Sequence, residues 1–266
     1  MSEKQQPALC FFVVGLIGLG VIALVVGDFA MVWQPVPDWV PGRHAIAYGT
    51  GVLMVLLGIG LSFPPSRAWS VRILFAYLFL WALLKVPEVV TAPRIEATWL
   101  GLGELTLLLS GGWTLFARLG NVANKSPLAF LAGERGVRMA RILFAISVVP
   151  IGLSHIFYVK ETAGFVPHWL PYREGWAYLT GVGQIASGLG VLFNVVPRLA
   201  AWAEAGQITL YTLLVWTPTV VAAPKTRLPW TAFFISWIIG AAAWTVAQNI
   251  PPTSNGHSDI NTNPRT

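Results

Sequence analysis

Eight apolar stretches, at 9–33, 44–63, 69–90, 97–118, 139–159, 175–195, 199–222 and 229–249, each approach the length of one bilayer crossing. A helix needs about 20 apolar residues to span the hydrocarbon. The runs are continuous rather than alternating, and lipid offers no water to an open sheet edge, so all eight are read as helices. The expected fold is all-α: a polytopic membrane protein of eight transmembrane helices. Of the 266 residues 55% are hydrophobic and only 11% charged, which excludes a water-soluble domain. The first stretch follows a short polar start with Lys4 but has no convincing small-residue cleavage site, so it is expected to be a retained helix.

The polar segment from Gly120 to Arg138 separates the fourth and fifth stretches. It divides the chain into a first four-helix repeat (1–119), a cytoplasmic linker (120–138), a second repeat (139–249) and a disordered tail (250–266). The division has a sequence basis: Val36 to Phe63 aligns without gaps on Val166 to Phe193, 130 residues later, with 13 of 28 positions identical. Pro37, Trp39, Pro41, Arg43, Tyr48, Thr50, Gly51, Gly58 and Gly60 recur as Pro167, Trp169, Pro171, Arg173, Tyr178, Thr180, Gly181, Gly188 and Gly190. At an offset of 131, Pro87, Pro93, Trp99 and Trp113 recur as Pro218, Pro224, Trp230 and Trp244. With four spans per copy, the two bundles are expected in tandem, in parallel orientation about an axis along the membrane normal.

The net charge is +6, but the basic residues are scattered through short loops rather than gathered in a stripe, so they read as topology and not as a nucleic-acid surface. Ten of the 17 lie on the side of the N-terminus, linker and tail, which places both termini in the cytoplasm. The bilayer is the expected partner. Cys10 is the single cysteine, and His44 and His168 have no ligand-spaced companions, so no metal site is expected.

Ionisable groups in or beside the spans are costly and therefore informative. Lys85 and Glu88 are three apart on one helix face, and Glu104 enters the next span at similar depth. Asp28 ends the first span and His155 sits in the corresponding part of the fifth. Together Asp28, Lys85, Glu88, Glu104 and His155 form a candidate polar pocket, set against the plainer reading of a paired triad with capped helix ends. The second copy has Trp216, Thr219 and Ile235 in place of the triad. Gln184, aligned with Met54, is expected to hydrogen-bond between helices. Trp39 and Trp169, each held between two prolines, are candidate loop lids over a pocket mouth.

The segment GLSHIFYVKETAGFVPHWLPYREGWAYLTGVGQIASGLGVL resembles the DoxX-like membrane proteins. Ser154, His155, Phe157, Val166, Pro167, Trp169, Leu170, Pro171, Thr180, Gly181 and Gly188 carry the likeness, and many family members have Glu where this chain has Gln184 and Met54. The resemblance implies two fused DoxX-like units in a bacterial inner membrane. A few relatives are subunits of thiosulfate:quinone oxidoreductase, so it also implies a quinone-linked redox component, with quinone or a respiratory subunit as partner. In that reading Trp39 and Trp169 border a lipid-accessible pocket and His155 or Glu104 exchanges protons with the quinone. A small-solute transporter or a non-catalytic scaffold is the alternative.

Overall fold

A computed structural model describes residues 6–251. Lys4 and all but the first two residues of the expected tail lie outside the described residues. The fold is all-α, with no strand among the described residues. Its helices are α1 (Gln6–Val26), α2 (Arg43–Ser62), α3 (Pro64–Thr91), α4 (Glu96–Leu119), α5 (Gly133–Phe157), α6 (Val159–Phe165), α7 (Arg173–Leu192), α8 (Pro197–Tyr211), α9 (Thr217–Ala222) and α10 (Arg227–Gln248). A five-residue π segment, Thr212–Trp216, joins α8 to α9 into one rod. Seven of these units are long and apolar enough to cross a membrane. The 20-residue α7 has the length, but its glycines, Arg173, Glu174 and Gln184 dilute its hydropathy.

The first helix is shorter than its apolar stretch. Gly27 adopts a left-handed conformation (φ +70°) that ends α1, and Asp28 Oδ1 accepts the Phe29 N–H at 2.8 Å. The greasy residues that follow form a 3₁₀ turn, Met31–Trp33, which tucks Phe29 and Trp33 into the core rather than continuing the helix. The fifth helix errs in the other direction. It begins at Gly133, inside the expected linker, because Glu134 and Arg135 form a polar first turn that a hydropathy window misses.

α4 and α10 occupy the centre, with 72% and 56% of their apolar windows buried against 17% for the α8–α9 rod. In lipid no hydrophobic force separates helix from hydrocarbon, so helices associate by close packing at small residues. A Cβ on Gly111 of α4 would lie 2.5 Å from the Ala242 Cβ of α10, so the two backbones cross nearly in contact. α4 also packs broadly on α5, and α10 on α1. Gly103 of α4 makes room for the Pro150 ring of α5, and Ser147 Oγ donates to Thr106 Oγ1 at 2.8 Å across the same junction.

Local contacts recur between the halves. Arg43 Nε donates to Val36 O and Arg173 Nε to Val166 O, at 3.2 and 3.1 Å. Trp99 Nε1 donates to Pro93 O and Trp230 Nε1 to Pro224 O. The residues that meet at the centre are themselves 131 apart: Gly111 against Ala242, and Arg118 Nε donating to Asn249 Oδ1 at 2.9 Å. The buried positions Val71, Leu74 and Leu78 of α3 match Ala201, Glu204 and Ile208 of α8 at an offset of 130, whereas Val89 matches Val220 at 131. The offset between these buried positions changes across the π segment, whose wider turn takes up one residue more than an α turn. Pro218 lacks an N–H for the turn before it, and Thr217 Oγ1 donates to the Thr212 carbonyl at 2.8 Å.

Because the central crossing has no spare room, Gly111→Val is expected to cost about 1–3 kcal/mol through overpacking. A lowered melting temperature in detergent, with Ala123→Val in the loop as control, is the measurement.

Candidate functional site

The five sequence-predicted polar residues resolve into three separate groups. Asp28, in the turn after α1, accepts Arg43 Nη1 on Oδ1 at 2.5 Å and Arg227 Nη1 on Oδ2 at 3.0 Å. Arg227 Nη2 also donates to Phe29 O at 2.6 Å. One carboxylate thereby ties the start of α2 and the start of α10 to the end of α1. Burial alone would raise the Asp28 carboxyl, but the Phe29 N–H and the two guanidinium groups outweigh it and hold its pKa below the ordinary 3.8.

The second group lies between α3, α4 and the 3₁₀ turn. Lys85 Nζ and Glu88 Oε2 are 2.7 Å apart, and Glu104 stands close enough to Lys85 to interact electrostatically, with the Trp33 indole beside it. One turn earlier on α3, Trp81 and Tyr77 face an enclosed void of about 20 Å³ that Trp33 and Gln34 also line. Gln34 Nε2 donates to the Tyr77 hydroxyl at 2.8 Å. The indole N–H groups of Trp33 and Trp81 are buried, beside Glu104 and Tyr77, without a hydrogen bond of normal geometry. The void has room for about one water.

His155 belongs to the third group, in the second half. Its Nδ1 is 2.8 Å from Thr180 Oγ1 of α7, and its ring lies 5.6 Å from that of Tyr211. Gln207 Nε2 donates to Thr180 O at 2.9 Å and to the Tyr211 hydroxyl at 2.5 Å. Gln184 makes the expected interhelical bond, donating from Nε2 to Glu204 Oε1 of α8 at 3.1 Å. Sequence reasoning passed over Glu204, Gln207 and Tyr211. Their spacing, i, i+3 and i+7, puts them on one helix face, and that was the available signal.

Trp39 and Trp169 are 80% and 72% exposed, and neither lines either described cavity. The larger cavity is a groove of about 550 Å³ between α1 and α10. Gly18, Val21, Ile22, Val25, Trp230 and Phe234 give it apolar walls, and Lys225 and Arg227 close one end with positive charge. Glu104, Lys85 and His155 do not reach it. Among the described residues no group of three His, Cys, Asp or Glu could hold a metal ion.

Residues 136–217, from α5 to the start of α9, match the DoxX family. No curated protein and no solved structure matches the chain.

The Asp28 linkage gives a prediction with a definite sign. A carboxyl lowered in the native state contributes stability that is complete above its ordinary pKa and is lost as pH falls through the lowered native one. Below about pH 4 the wild type is therefore expected to lose thermal stability, and Asp28→Asn, already without the ion pairs, to show a flatter acid limb. Melting curves across the acid range measure it.

Proposed function

We propose that this chain, a DoxX-like membrane protein over residues 136–217, binds a quinone-type amphiphile drawn sideways from the bilayer into the groove between α1 and α10, as the membrane component of a redox system. The observation that carries the reading is the groove itself: apolar along its walls and cationic at one end. A prenyl tail suits Val21, Ile22 and Phe234, and a quinone carbonyl suits the donors of Lys225 and Thr226. Arg227 is held in place by Asp28, so the polar end is preorganised. The chain's own contribution is binding and orientation, and electrons come from a partner.

The two halves are read as tandem DoxX-like units about an axis through the α4–α10 crossing. The meeting of residues 131 apart, Gly111 with Ala242 and Arg118 with Asn249, supports this, since only residues near such an axis can touch their own equivalents. The placement in a bacterial inner membrane with both termini cytoplasmic belongs to the same reading.

A transport function at the triad would need a water-filled path past Lys85 and Glu104. Neither described cavity is lined by these residues, and Lys85 is paired with Glu88. The triad is better read as bracing between α3 and α4.

Mass spectrometry of protein extracted with native lipid is expected to find a quinone, and added quinone to quench tryptophan fluorescence saturably. Val25→Trp, at a wall position 80% exposed, fills the groove without touching the core and is expected to weaken binding at least tenfold. Recovery of phospholipid alone, or binding unaffected by Val25→Trp, would overturn the proposal.

A further inference from the structure

Glu204 is fully buried on α8, in the slot that Leu74 occupies on α3. Its Oε1 accepts the Gln184 amide at 3.1 Å, while its Oε2 has no partner. The Gln184 side-chain oxygen is also buried without a partner. Two acceptors thus stand unsatisfied on the same two side chains that already share one bond. A buried acceptor left unmade costs about 1–3 kcal/mol, and an isolated carboxylate far more.

The charged and titratable groups around the pair offer no compensation. From α7, Gln184 is the partner and is neutral. α10 has no ionisable side chain beyond Arg227 at its first position, which is engaged by Asp28. The π segment has none. On α8 itself the ionisable neighbours are Arg198, near its start, and Tyr211, whose hydroxyl meets Gln207. His155 of α5 is occupied with Thr180.

We propose that Glu204 is a proton-binding site inside the bilayer, its carboxylic acid and the Gln184 amide closing an eight-membered ring. The amide N–H donates to Oε1, and the proton on Oε2 donates to the Gln184 oxygen. One proton then satisfies both unpartnered atoms. A structural water would instead leave the carboxylate charge uncompensated in hydrocarbon. One turn along α8, Gln207 donates to the Thr180 carbonyl and to the Tyr211 hydroxyl while His155 meets the Thr180 hydroxyl, so these neighbouring polar groups are engaged with one another and leave the Glu204 proton to Gln184. The inference does not depend on what occupies the α1–α10 groove.

Infrared difference spectroscopy of the whole protein in lipid tests it. At neutral pH the wild type is expected to show a protonated-carboxyl C=O stretch that shifts in D2O and is lost in Glu204→Gln. That variant keeps an amide partner for Gln184 and is expected to fold. Gln184→Leu keeps the acid but removes its acceptor, so the same band is expected to move to higher frequency. A spectrum in which Glu204→Gln removes only a carboxylate stretch, or in which Gln184→Leu leaves the band in place, would overturn the proposal. The second arm decides it even if the first variant fails to fold.

Discussion

The near-contact of α4 and α10 is the constraint on which the other packing depends. Hydrocarbon solvates an apolar helix as well as another helix does, so association requires backbones close enough for dense van der Waals contact. Gly111 and Ala242 provide that at the centre, and the same device is used further out. Gly51 of α2 approaches Ala23 and Leu24 of α1, and Gly181 of α7 approaches Gly152 and His155 of α5. Side chains larger than hydrogen at these points would push the outer helices away from the central pair. The glycines are therefore not a measure of flexibility in this protein. They are where its helices touch.

Two places inside the bundle hold buried polar atoms of opposite hydrogen-bonding character. Around the void in the first half the unmatched atoms are donors, the indole N–H groups of Trp33 and Trp81. Between α7 and α8 they are acceptors, on Gln184 and Glu204. Hydrocarbon exacts a cost for each unmatched group, of order 1 kcal/mol or more, so neither set is neutral ornament.

Much of the architecture was legible in the sequence, because bilayer-length apolar runs admit few alternatives to a helix. The ends of helices were less so. Phe29 to Trp33 is as apolar as a helix interior, and only the left-handed Gly27 and the cap by Asp28 stop α1 before it. Hydropathy also missed the polar first turn of α5, and it missed the π segment, whose trace in the sequence is the change of offset from 130 to 131. For the site, depth along the span marks where charges are costly, but depth does not say which neighbours they meet. Lys85 meets Glu88 on its own helix, whereas Asp28 and His155 meet Arg43, Arg227 and Thr180 on other helices, which the sequence does not name.

The two junctions that flank the central pair are filled differently. Where α5 meets α4, Pro150 fills the space beside Gly103, Ser147 bonds to Thr106, and the Tyr158 hydroxyl accepts the Ala97 N–H at 3.1 Å over the start of α4. Where α1 meets α10, the chain after Gly27 turns inward toward Trp81, and Asp28 reaches across to Arg227 instead of a bulky side chain covering that corner. The wall is left to valines and Gly18, which faces the Phe234 ring. An ion pair has taken the place of a plug. The interaction that fastens the first half to the last helix thus also fixes the cationic end of the groove.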